Sequence, residues 1–111
     1  MEPSKIAKKI ADVIDEKKAK DINVINIRDV STLADYFVLS SGTSTTHIKM
    51  LADEIEKEME EDIELLHKEG YNSARWILLD FGCVVVHLFH EEDREFYKLE
   101  RLWSDGVIEK G

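Results

Sequence analysis

The sequence predicts an α/β (α+β) domain: a mixed sheet of about five strands with helices mainly on one face. Three observations lead there. Segments with a helical apolar stripe alternate with short β-branched runs in the order α-β-β-α-β-β-β-α. The most apolar stretch, "RWILLDFGCVVVHLFH" from Arg75 to His90, is broken by a glycine and reads as a hairpin. The chain of 111 residues suits a single domain, residues 1–111, with no repeat, linker or low-complexity segment.

From Ser4 to about Ala19, Ile6, Ile10, Val13 and Ile14 fall on one stripe after Pro3, which predicts an amphipathic helix. "DINVINI" then turns β-branched, with Ile22, Val24 and Ile27 as the expected inward positions. "DYFVLSS" from Asp35 is nearly apolar throughout and reads as a central strand. "GTSTT" breaks it and offers hydroxyls to cap a helix from Thr45 to Glu60, striped by Ile48, Leu51, Ala52, Ile55 and Met59. "IELLHKEGYNS" gives a weaker strand and a loop around Gly70. After the hairpin, "EEDREFYKLERLW" predicts a closing helix built on Phe96, Leu99, Leu102 and Trp103. Glu91, Glu92 and Asp93 at its start complement the helix dipole.

Composition excludes several functions. Fifteen Lys plus Arg against twenty-four Asp plus Glu give a net charge of −9, which disfavours a phosphate backbone and suits a basic protein partner. No apolar run is long enough for a membrane span, and the N-terminus lacks a signal-peptide pattern, so a cytoplasmic protein is expected. The single cysteine, Cys83, permits no internal disulfide.

Catalytic patterns are weak. "SSGTS" at Ser40 to Ser44 sits between strand and helix, where an anion can be cradled, yet it is neither a P-loop nor GxGxxG. Glu54 and Glu56 look superficially like a two-metal acidic pair, but on a helix they point about 200° apart. His47, His67, His87 and His90 form no metal-ligand spacing, and no base is aligned with Ser40, Ser41 or Cys83. The expectation is a non-enzyme without metal or cofactor. The alternative is a nucleotide-binding or nucleotidyltransferase-like enzyme using Ser40–Ser44.

With Phe81-Gly82 as a two-residue turn, Trp76 pairs with His87, Leu78 with Val85 and Asp80 with Cys83. Ile77, Leu79, Val84, Val86 and Leu88 then face the helices. Trp76, Leu78, Asp80, Cys83, Val85, His87 and Phe89 face the other way, and a three-residue turn would regroup them. A mixed aromatic and polar face centred on Trp76 has the composition of an interface, although a Trp is equally a large core residue. If that sheet face is open, Trp76, Leu78 and Asp80 are the leading contacts, with Tyr36, His87, Phe89 and Tyr97 behind them. Tyr97 belongs either to the outer side of the closing helix or against the sheet.

"ADYFVLSSGTS", "HIKMLADEIE", "EGYNSARWILLDFGCVVVHLF" and "REFYKLERLW" together resemble the iojap-related family, the ribosomal silencing factors, from about Ile6 to Asp105. That resemblance implies a nucleotidyltransferase-like topology without the active site. It also implies binding to the large ribosomal subunit through ribosomal protein fourteen, so that joining of the small subunit is sterically blocked and translation damped. Mitochondrial and plastid relatives are linked to large-subunit assembly. Phe81 stands where Tyr is usual in the family, and Cys83 where an acidic or small residue is common. A homodimer hiding the apolar face of the free protein is compatible with this reading.

Overall fold

The computed structural model describes residues 2–92 and 107–109. Helix α1 (Pro3–Glu16) begins at its proline and buries Ile6, Ala7, Ile10, Ala11 and Ile14. It stops short of Ala19 because Lys18 takes a φ of 66°, and the N–H groups of Lys17 and Lys18 close onto Ile14 and Asp15. Val13, expected on the stripe, is only half-buried; two alanines fill the contact instead and let the helix lie close to the sheet.

Strands β1 (Lys20–Asn26) and β2 (Tyr36–Gly42) precede helix α2 (Thr45–Met59), which buries all five residues of its predicted stripe. Then come β3 (His67–Glu69), β4 (Trp76–Asp80), β5 (Val84–His90) and β6 (Val107–Glu109). The sheet order is β3-β4-β5-β2-β1-β6. β2 and β5 pair in parallel at the centre, and the neighbouring pairs outside them are antiparallel. Both central strands are buried along their whole length, as the nearly continuous apolar run of each requires. The sheet is therefore mixed, as expected, with β6 as a sixth strand beyond the five predicted. The predicted closing helix and Tyr97 lie outside the described residues.

Both helices pack on one sheet face, against Val24, Tyr36, Val38, Ile77, Leu79, Val84, Val86 and Leu88. The opposite face carries a second core of Ile25, Ile27, Ala34, Phe37, Leu39, Val85 and Phe89. The end of β1 and the residue after it correct the expectation for Ile27. Ile22 and Val24 turn toward the helices, whereas Ile25 and Ile27 turn away, because successive side chains alternate and both faces are apolar.

The hairpin register is also corrected. Trp76 lies opposite Phe89, Leu78 opposite His87 and Asp80 opposite Val85. Phe81 donates its N–H to Val84 at 2.9 Å, so the two-residue loop is Gly82-Cys83. Gly82 occupies its first position with a φ of 89°, the conformation a tight hairpin asks of glycine. The slip from the expected pairing is two residues. An even slip leaves every strand side chain on its predicted face.

Candidate functional site

The second sheet face is not broadly open. Ile25, Ile27 and Leu39 are fully buried and Phe89 is 1% exposed. Among the described residues, Trp76 and Leu78 on β4 are half-buried and pack at the margin of the second core. These two residues, with Glu69 and Gly70, line a groove of about 280 Å³. Gly70 is what permits the groove's shape. Its φ is 77°, and a Cβ there would stand 2.0 Å from the Trp76 carbonyl oxygen. The loop closes by a hydrogen bond from the Ala74 N–H to the Gly70 carbonyl at 2.9 Å.

Behind the groove lies an aromatic cluster. Trp76 stacks on Phe89 with ring centroids 5.2 Å apart, and the His87 ring is 4.8 Å from Phe37 and 6.2 Å from Phe89. The Trp76 indole N–H donates to His87 Nδ1 at 3.1 Å. An indole N–H only donates, so Nδ1 must be unprotonated and the ring proton sits on Nε2. Burial lowers the His87 pKa to about 4, which keeps the ring neutral near pH 7. Nε2 is buried and finds no hydrogen-bond partner among the described residues.

The structure sorts the sequence-predicted residues into separate roles. Trp76 and Leu78 share the accessible edge, while His87 and Phe89 lie buried behind them. Asp80 is half-buried, about 13 Å along β4 from Trp76. Its carboxylate accepts the Gly82 N–H at 2.7 Å and so ties the hairpin turn. Tyr36 does not join this face. It is buried on the helix side, where the Arg28 guanidinium donates to its hydroxyl at 3.2 Å and lies 5.4 Å from its ring centre. Its neighbour Phe37 takes the place expected for Tyr36, because the parallel pairing with β5 sets Phe37 opposite Val85. Alternation along β2 separates the two rings but cannot say which one faces Trp76. Cys83 likewise packs beside the helix-side core, since the turn begins one residue later than expected; burial, then the nearby Asp35 carboxylate, push its thiol pKa up.

"SSGTS" is occupied by its own chain. The Thr43 N–H donates to His47 Nδ1 at 3.0 Å, and Ser44 Oγ caps α2 by accepting the His47 N–H at 3.0 Å. Ser40 is fully buried, and its hydroxyl donates to the Lys20 carbonyl at 2.8 Å. A Cβ on Gly42 would stand 2.7 Å from the Ile48 side chain, so this glycine admits the helix rather than a phosphate. Glu56 pairs with Lys68 at 3.0 Å. Among the described residues, no group of three His, Cys, Asp or Glu side chains is placed to hold a metal.

Residues 1–110 match the family model described as "Ribosomal silencing factor during starvation". The chain belongs to that family. It is 40% identical to the ribosomal silencing factor RsfS of Bacillus subtilis, over 97% of this chain and 92% of that protein. A crystal structure of a protein from Chromobacterium violaceum superimposes with a TM-score of 0.90 at 30% identity, over 94% of this chain and 88% of that one. The mouse protein named mitochondrial assembly of ribosomal large subunit protein 1 is 34% identical over 86% of this chain, which spans 43% of its length. The family's description ties the chain to regulation at the ribosome, and its fold is that of a solved relative.

Proposed function

We propose that the protein is a non-enzymatic translational repressor of the cytoplasm. It binds the large ribosomal subunit through ribosomal protein fourteen and sterically blocks joining of the small subunit, with assistance to large-subunit assembly as a second role. The observation that carries this reading is the groove at β4. There a half-buried Trp76 and Leu78 line a groove beside Glu69, on a chain of net charge −9. An aromatic anchor next to a carboxylate suits a basic protein surface. The overall charge speeds the encounter.

The test is sedimentation of the protein with separated ribosomal subunits at low and moderate salt. Co-migration with the large subunit alone, lost on adding excess ribosomal protein fourteen, supports the assignment. No association even at low salt overturns it. Free protein is expected to pair with itself when the target is absent, hiding its apolar sheet face. Sedimentation equilibrium with and without the target protein distinguishes the two states.

A further inference from the structure

We infer that His87 is a positioning residue, holding the Trp76 indole in the orientation a partner meets without touching that partner itself. This rests on the reading of Trp76 as an anchor and assigns that anchor its support. His87 is only 5% exposed, whereas Trp76 reaches the groove. A half-buried indole keeps rotamer freedom that binding must remove, so an anchor fixed beforehand binds more tightly. Among the described residues, Phe89 and His87 hold it: its ring stacks on Phe89 at 5.2 Å, and its N–H is donated to His87 Nδ1 at 3.1 Å.

The choice of histidine is what separates this role from packing. Its ring sits between Phe37 and Phe89, a place a phenyl ring would fill equally well. Imidazole brings a cost there, because Nε2–H is buried with no partner among the described residues. What it supplies that phenyl lacks is an acceptor for Trp76. A polar ring that packing alone does not need, bonded to an aromatic that lines the groove, points to a role in holding that aromatic.

The experiment uses the full chain as wild type, His87→Phe and His87→Asn, with Trp76→Ala as reference. Three quantities are read for each: exchange of the Trp76 indole proton by nitrogen-15 NMR, thermal midpoint, and binding to purified large subunits. The indole signal is identified by its loss in Trp76→Ala. In His87→Phe the indole proton is expected to exchange at least tenfold faster and binding to weaken at least tenfold. Its thermal midpoint should stay at or above that of wild type. His87→Asn, whose amide oxygen can stand near the position of Nδ1, should restore slow exchange and part of the binding despite its smaller volume. Unchanged exchange in His87→Phe overturns the proposal, as does a freed indole with undiminished binding. A joint loss of stability and binding that His87→Asn fails to relieve also overturns it and leaves a packing residue. Undiminished binding by Trp76→Ala would remove the anchor reading instead, and indole exchange would still decide whether His87 holds the ring.

Discussion

His47 and His87 both accept an N–H at Nδ1, but they differ at the second ring nitrogen. His47 takes the Thr43 N–H at 3.0 Å and, because that leaves its proton on Nε2, donates to the Lys17 carbonyl at 2.9 Å. It thereby ties the start of α2 to the end of α1, with both nitrogens used. His87 takes the Trp76 indole N–H, and its Nε2 is left buried without a partner among the described residues. A satisfied histidine is a joint between elements. A buried one left half-satisfied is kept at a cost, and the cost here coincides with the residue that supports the groove's Trp. The same side chain thus closes one candidate site and supports another.

That contrast breaks most visibly in acid. The folded pKa of His87, about 4, lies below the ordinary 6.5, so below pH 6.5 the unfolded chain takes up a proton that the folded one refuses. Stability therefore falls as pH drops from 6.5 toward 4, by about 3 kcal/mol from this group. Urea unfolding of wild type and His87→Phe at pH 7 and pH 4 isolates it; an equal loss in both proteins would show that His87 is not the source.

Next in size is Trp76→Ala, expected to weaken large-subunit binding by about 2 kcal/mol, roughly thirtyfold. Titration of a folded variant against large subunits checks it, and full affinity would mean that the groove is not the contact. The joint should behave in the opposite sense. His47→Ala removes the hydrogen bonds at both ring nitrogens and is expected to lower stability by about 1 kcal/mol while leaving subunit binding as in wild type. A binding defect there would erase the distinction between the two histidines. The smallest effect belongs to the Lys68–Glu56 ion pair, about one-third exposed on each side. Lys68→Ala should change the unfolding free energy by less than about 0.5 kcal/mol, and less still in high salt.

Where local chemistry decides, the sequence was readable. The α2 stripe emerged residue for residue, because 3.6-residue periodicity is a property of the segment itself. The two faces of the hairpin were also legible, even though its register was off by two, since strand alternation repeats at that interval. Ile27 and Tyr36 were misassigned for a related reason. Their strands are apolar on both faces, so pattern alone does not say which parity meets the helices. Gly70 marked a loop in the sequence, but nothing local showed that its missing Cβ makes room for the backbone of Trp76.

By itself the sequence determined the order of most elements, the helix stripes, the acidic charge and the presence of a Trp-bearing hairpin, all of which follow from neighbours along the chain. Tertiary structure decided that Phe37 rather than Tyr36 joins that Trp, that the second face is mostly buried, and that His47 is complete while His87 is not. Those outcomes depend on pairing between strands and helices far apart in sequence. A side chain's burial and the partners of each ring nitrogen exist only after that pairing is made.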